Sequence, residues 1–147
     1  MEIGLGNKTV LITGASRGIG AAIARALASH GASVIINYIR SREKAEAVLK
    51  EISDSGGKGM IVQADVRDRG AVDKMVGQGI ERFGRIDVLV NNANIDFPVK
   101  PFTELSWDDI EAKITGEMKS LYNQRMGSSL HGLLPKSIFI RFSKLTL

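Results

Sequence analysis

From residue 8 to residue 92 the chain alternates between two kinds of hydrophobic pattern, and few architectures accommodate that alternation. Short, mostly β-branched apolar runs at 9–13, 33–38, 58–64 and 87–91 lack an in-and-out polarity pattern, so they read as strands covered on both faces. Between them, apolar residues recur at helical spacing: Ile19, Ile23 and Leu27; Ala45, Val48, Leu49 and Ile52; Val72, Met75, Val76, Ile80 and Phe83. Each set predicts a helix with one buried stripe. Strands alternating with such helices predict strand–helix units on a parallel sheet. Gly31, the Gly56-Gly57 pair and Gly84 follow the last periodic residue of each helix, where a left-handed residue ends the helix without a Cβ penalty. A fourth helix is expected to open near Ser106, which forms a capping box with Asp109, and to carry Trp107, Ile110, Ile114, Met118 and Tyr122.

After Tyr122 the pattern loosens. A weak apolar stripe is broken by Gly127, Gly132 and Pro135, and "SIFIRFSKLTL" at 137–147 then reads as a short strand. The chain has 147 residues, 44% of them hydrophobic, which suits one globular domain. Residues 1–123 form the ordered body of this reading, and 124–147 a divergent basic tail, with a helix and an edge strand as its expected content.

The net charge of +4 raises the question of a nucleic-acid partner. All 16 acids lie within residues 1–117, whereas the last 30 residues hold no acid and the five bases Lys119, Arg125, Lys136, Arg141 and Lys144. The basicity belongs to the tail, which carries no extended stripe of Arg/Lys with interleaved aromatics, and nucleic acid is not the expected partner. No run of 18 or more apolar residues and no basic-then-apolar leader occurs, so a cytoplasmic protein away from the membrane is expected. The absence of cysteine removes disulfides, thiol nucleophiles and thiolate metal sites, and no metal site is expected.

Residues 13–20 read "TGASRGIG", directly behind Val10-Leu11-Ile12. Glycines 14, 18 and 20 fall where a strand turns into a helix. There glycine permits a tight turn, and backbone N–H groups and a positive helix end can approach a pyrophosphate. The alternative is a glycine-rich turn with no ligand, but the strand–turn–helix context favours phosphate. Gly14, Ser16, Arg17, Gly18, Ile19 and Gly20 are the loop residues expected at a cofactor. At the end of the second strand, where an acid would bind the ribose 2′-hydroxyl of NAD, the chain reads Asn37-Tyr38-Ile39-Arg40-Ser41-Arg42. With no acid there, Arg40 and Arg42, helped by Arg17, would neutralise a 2′-phosphate by charge-assisted hydrogen bonds, which predicts NADP over NAD. The competing reading makes these arginines solvated charges at the start of the next helix.

With "TGASRGIG" at 13–20, "ADV" at 64–66 and "NNA" at 91–93, in that order and at those strand ends, residues 5–122 resemble the short-chain dehydrogenases/reductases. The likeness is strongest to the 3-oxoacyl-acyl-carrier-protein reductase-like branch. The resemblance implies an α/β fold, a Rossmann-type doubly wound parallel sheet, here incomplete with four strands and a candidate fifth. It implies a nicotinamide dinucleotide partner and, in full-length relatives, hydride transfer between ketone and alcohol. Asp65 and Val66 would sit against the adenine, with Asp65 accepting from its amino group or else capping the following turn. Asn91, Asn92 and Ala93 would line the cofactor ribose and tie the sheet together through side-chain amides, or else simply form a turn.

The departures from the family pattern are equally specific. The family's glycine after "NNA" is Asn94, a residue tolerant of left-handed backbone. The helical position of the family's active-site Asn falls on Glu117, or on Ile114 by counting from Trp107, and Glu117 reads as a helix residue without a catalytic role. Family chemistry uses a Tyr that exchanges a proton with the substrate oxygen, a Lys four residues on and an orienting Ser. The two tyrosines, Tyr38 and Tyr122, are followed four residues on by Arg42 and Met126, and Ser143 by itself supplies no proton. No catalytic residue is therefore assigned. The expectation is a truncated or frameshifted family member that binds cofactor with little or no turnover on a carbonyl substrate of unspecified kind. The alternative is a non-catalytic cofactor- or partner-binding module, with a second copy as one cover for its exposed apolar edge.

Overall fold

Residues 4–96, 98–125 and 139–141 are described by a computed structural model. In chain order the elements are β1 (Thr9–Ile12), α1 (Gly18–Ser29), β2 (Ser33–Tyr38), α2 (Arg42–Asp54), β3 (Lys58–Gln63), α3 (Arg69–Phe83), β4 (Val88–Asn91), a 3₁₀ turn (Phe102–Glu104), α4 (Trp107–Arg125) and β5 (Phe139–Arg141). The strands form one sheet in the order β3-β2-β1-β4-β5, and every pairing is parallel. β1 aligns Thr9 with Ser33 of β2 and Val10 with Val88 of β4. The chain winds outward from β1 to β3, then crosses back to β4. The order reverses beside β1, and a crevice opens there at the strands' carboxyl ends.

β1, β2 and β4 are buried on both faces because they are largely apolar on both sides of the two-residue period, whereas β3 buries only Val62 fully. Val10, Ile12, Val34 and Ile36 pack with Ala21, Ala24 and Ala28 of α1 and Ala45, Val48 and Ile52 of α2. Leu11, Ile35, Val62 and Leu89 pack on the other side with Val72, Met75 and Val76 of α3. The stripe read for α1 holds for Ile23 and Leu27, which pack against the core, and fails for Ile19. The helix buries its small residues Gly20, Ala21, Ala24 and Ala28, while Ile23 and Leu27 are partly buried and Ile19 is 42% exposed. Small side chains let this helix lie close against the sheet.

The helix ends follow the local chemistry of the sequence. Gly31, Gly56 and Gly84 have φ values of +91°, +79° and +80°. The Ser106 hydroxyl accepts from Asp109 N at 3.1 Å, and Asp109 accepts in return from Ser106 N at 3.0 Å, a reciprocal capping box. One face of α4 remains uncovered, with Trp107, Ile114, Met118 and Tyr122 each at least 55% exposed. Its other side packs on α3, and Asn123 donates to the carbonyls of Val66 and Arg67 at 3.3 and 2.9 Å.

The strand expected in 137–147 is present at Phe139–Arg141, where Leu89 aligns with Phe139. Ser143 and the stripe around Gly127, Gly132 and Pro135 lie outside the described residues. Among the described residues no helix is long and apolar enough to cross a membrane.

Candidate functional site

The crevice beside β1 holds a cavity of about 520 Å³, walled by the glycine loop, the ends of β2 and β3, and residues 92–96 after β4. Asn37 positions its floor. This buried residue uses Oδ1 to accept from Gly14 N at 3.1 Å and its backbone carbonyl to accept from Ala15 N at 2.8 Å. Its Nδ2 donates to Ala64 O at 3.0 Å, so one side chain joins the loops after β1 and β3. Sequence reasoning passed over Asn37, although a polar residue inside the apolar run of β2 was a usable signal.

The three loop glycines do different jobs. Gly14 and Gly18 have left-handed backbones, with φ of +62° and +58°. A Cβ on Gly14 would lie 2.8 Å from the Ala93 Cα, and one on Gly20 would lie 2.5 Å from the Asn92 amide nitrogen. A Cβ on Gly18 would meet nothing within 4 Å. Gly14 and Gly20 are thus required by contact between the loop and the segment after β4, and Gly18 by the turn. Gly20 does not line the cavity, whereas Gly14, Ser16, Arg17, Gly18 and Ile19 do. Arg17 occupies the N-cap of α1 with extended backbone, no side chain caps the helix, and its first turn contains no acid. The positive end of α1 therefore opens into the cavity with backbone donors left for an anion.

At the β2 end, Tyr38 lines the cavity but is only 4% exposed, a member of the core as much as of the wall. Arg40 also lines it, with a 76% exposed side chain, and faces Asp96 at 3.6 Å. The expectation that Arg42 joins it is corrected. Arg42 opens α2 and pairs along the helix with Glu46 at 2.7 Å, off the cavity wall, so for this residue the solvated-charge reading holds.

Asp65, Val66 and Arg67 form the β3 wall. The Asp65 carboxylate accepts from Arg67 N at 2.9 Å and is gripped by the Arg67 guanidinium at 2.7–3.2 Å. Of the two roles weighed for Asp65, the turn-capping contact is the one present within the chain. That guanidinium, chiefly through its hydrogen bonds, holds the Asp65 carboxyl below the usual carboxylate range, with burial opposing.

Asn92 and Ala93 line the fourth side, while Asn91 does not. Asn92 Nδ2 donates to Thr13 O and Gly14 O, both at 3.0 Å, and the backbone N–H groups of Asn92 and Ala93 both donate to Thr13 Oγ1 at 3.1 Å. The tie through side-chain amides thus belongs to Asn92. Asn91 is 9% exposed, and its Nδ2 finds no partner among the described residues.

Asn94 does not adopt the left-handed backbone its type tolerates, since among the described residues only glycines have positive φ. Its Oδ1 instead accepts from Lys113 Nζ at 2.6 Å. The same ammonium donates to Ile95 O at 2.5 Å and to Glu117 Oε1 at 2.7 Å, and Glu117 Oε1 accepts from Ile95 N at 3.1 Å. Glu117 is therefore a structural clamp between α4 and the loop after β4. Lys113, unnoticed in the sequence, sits four residues before it on one helix face.

The comparisons with known proteins bear on this site directly. Residues 8–126 match the model of the short chain dehydrogenase family. The chain belongs to the short-chain dehydrogenase family. It is 43% identical over 119 residues to the 3-oxoacyl-acyl-carrier-protein reductase FabG of Staphylococcus epidermidis, covering 80% of this chain and 48% of that protein. It is 50% identical over 91 residues to versicolorin reductase stcU of Emericella nidulans, covering 62% of this chain and 34% of the relative. A short chain dehydrogenase of Burkholderia cenocepacia solved in complex with NADP superposes with a TM-score of 0.75 at 40% identity, over 86% of this chain and 51% of the other. A blue fluorescent protein from a metagenomic library, solved with NADPH, gives 0.79 at 34% identity, over 94% of this chain and 56% of the other. The chain spans about half the length of the curated relatives it matches. Within the short-chain dehydrogenase frame, the cavity occupies the switch point of the sheet. Among the described residues no group of three or more His, Asp or Glu side chains is placed to hold a metal ion.

Proposed function

We propose that this chain is the NADP(H)-binding part of a short-chain dehydrogenase/reductase-type oxidoreductase, and that by itself it binds cofactor with little or no turnover. One observation carries the reading: an uncapped helix N-terminus behind left-handed glycines opens on the switch-point cavity, whose β2 rim bears Arg40 and no acid. The donor set fits a dinucleotide. Gly14, Ser16, Arg17, Gly18 and Ile19 hold the pyrophosphate, with Gly20 keeping the loop seated on Asn92. Tyr38 and Arg40 border the adenosine ribose, where the guanidinium meets a 2′-phosphate. Asp65 and Val66 flank the adenine, and Asn92 and Ala93 the ribose at the nicotinamide end. When bound, the nicotinamide supplies a hydride acceptor or donor for a carbonyl or alcohol substrate.

The chain has no Tyr-x-x-x-Lys to exchange the accompanying proton, so it positions a cofactor without completing the chemistry. Titration with NADPH and NADH, followed by cofactor fluorescence, is expected to show tighter binding of NADPH. Oxidation of NADPH driven by acetoacetyl thioesters is expected to be absent. Tighter NADH binding overturns the cofactor assignment, and robust thioester-dependent turnover overturns the reading of inactivity.

A second reading rests on the exposed face of α4, which carries the apolar side chains of Trp107, Ile114, Met118 and Tyr122. These exposed side chains support assembly, with a second copy as the simplest cover. Size exclusion with and without NADPH separates the readings. An assembly that forms regardless of cofactor, in a chain that does not bind NADPH, favours a partner-binding module. A cytoplasmic setting suits a cysteine-free chain that uses this cofactor.

A further inference from the structure

Arg40 and Asp96 belong to opposite walls of the cavity. Arg40 follows β2, Asp96 follows β4, and the sheet places β1 between those strands. Their charged ends meet at 3.6 Å, so the pair spans the end of β1, where the glycine loop begins. Both side chains are exposed, at 76% and 88%, and weaker attractions run from Asp96 to Arg67 and from Arg40 to Asp65 on the β3 wall, where Arg67 and Asp65 hold each other. The loop that carries Asp96 is held from the far side. Lys113 and Glu117 of α4 grip Asn94 and Ile95, the two residues that precede Asp96.

A carboxylate 3.6 Å from the only arginine on the cavity's β2 rim competes with any other anion brought to that arginine. We propose that Asp96 is a specificity-determining residue of the cofactor site: it holds Arg40 across the cavity, and a 2′-phosphate gains Arg40 only by displacing it. NAD(H), which lacks that phosphate, makes no claim on Arg40. Asp96 thereby narrows the preference for NADP(H) that Arg40 creates. Because the pair is solvent-exposed, its competition is modest and salt-sensitive. The inference rests on the NADP(H) reading given above.

The test is a double-mutant cycle with Asp96→Asn and Arg40→Gln, each protein titrated calorimetrically with NADP and with NAD. Both substitutions fall on exposed side chains, and circular dichroism checks that each protein is folded. Asp96→Asn is expected to raise the ratio of NADP to NAD affinity about two- to fivefold, the range an exposed ion pair commands. The gain is expected to shrink with added salt and to vanish when Arg40 is already Gln. An unchanged ratio in Asp96→Asn, including equal tightening of both cofactors, overturns the proposal. So does a gain that persists in the Arg40→Gln background. If Arg40→Gln alone weakens NADP but Asp96→Asn leaves the ratio unchanged, only this inference fails. If Arg40→Gln leaves NADP binding unchanged, the 2′-phosphate reading fails with it.

Discussion

The side-chain amide of Asn92 donates to the carbonyl oxygens of both Thr13 and Gly14, at 3.0 Å each, and so fastens the end of β4 to the first turn of the glycine loop. The two segments lie far apart in sequence and become neighbours because β4 pairs directly with β1.

Asn92→Asp replaces that donor with an acceptor of the same shape, facing two carbonyl oxygens. The loss is expected to be about 1–3 kcal/mol of stability, the cost of unsatisfying such a group, with weaker NADPH binding. Urea denaturation and NADPH titration measure the two effects, and an unchanged denaturation midpoint would contradict the role given to Asn92.

Alanine at the loop glycines separates steric from conformational need. Gly20→Ala places a Cβ 2.5 Å from the Asn92 amide and 2.9 Å from the Ala15 Cα, an overpacking expected to cost about 1–3 kcal/mol. Gly18→Ala meets open space and strains only a φ of +58°, at about 1–2 kcal/mol. Gly20→Ala should therefore also release Asn92 and show the larger loss of cofactor binding. Equal effects on binding would mean that both glycines act through the turn alone.

Asp87, whose side chain is 8% exposed, accepts from Thr9 N at 2.9 Å and faces Lys8 at 3.7 Å and Arg85. Asp87→Ala leaves the buried N–H at the start of β1 without its acceptor. About 1–3 kcal/mol of stability should disappear, read as a lowered thermal midpoint. A shift within experimental error would show that the N–H finds another partner.

Acid should weaken the start of α4. The Lys100 ammonium, with the backbone N–H and hydroxyl of Ser106, lowers the Asp109 carboxyl from its ordinary 3.8 to about 2. A carboxyl depressed in the folded state adds stability above its ordinary pKa and loses it as pH falls through the folded value. The difference in thermal midpoint between the parent protein and Asp109→Asn should therefore narrow from pH 4 to pH 2. A difference constant over that window would rule out the ionised carboxylate as the stabilising form.

The strands, helices and caps were legible because each depends on residues close together in the chain. Apolar period separates strand from helix, Gly31 and Gly84 mark helix ends, and Ser106 with Asp109 makes a local exchange of hydrogen bonds. The α1 stripe was read only in part: Ile23 and Leu27 pack at the edge of the buried face, whereas close packing on the sheet puts Gly20, Ala21, Ala24 and Ala28 at its centre. In the site, the glycine loop, Arg40, Asp65 and Asn92 were found from motif and position. Asn37, Lys113 and Asp96 were not, since their partners lie on other strands or across the cavity.

By itself, then, the sequence determined the alternation of elements, the helix ends and a glycine loop behind the first strand, all set by neighbouring residues. Only the tertiary structure decided what those residues meet. Placing β1 between β2 and β4 makes Gly14 and Gly20 contacts of Ala93 and Asn92 and brings Arg40 to Asp96. Local period carries no information about which strand ends become neighbours. Sheet order supplies it, because β1's backbone hydrogen-bonding edges are taken by β2 and β4.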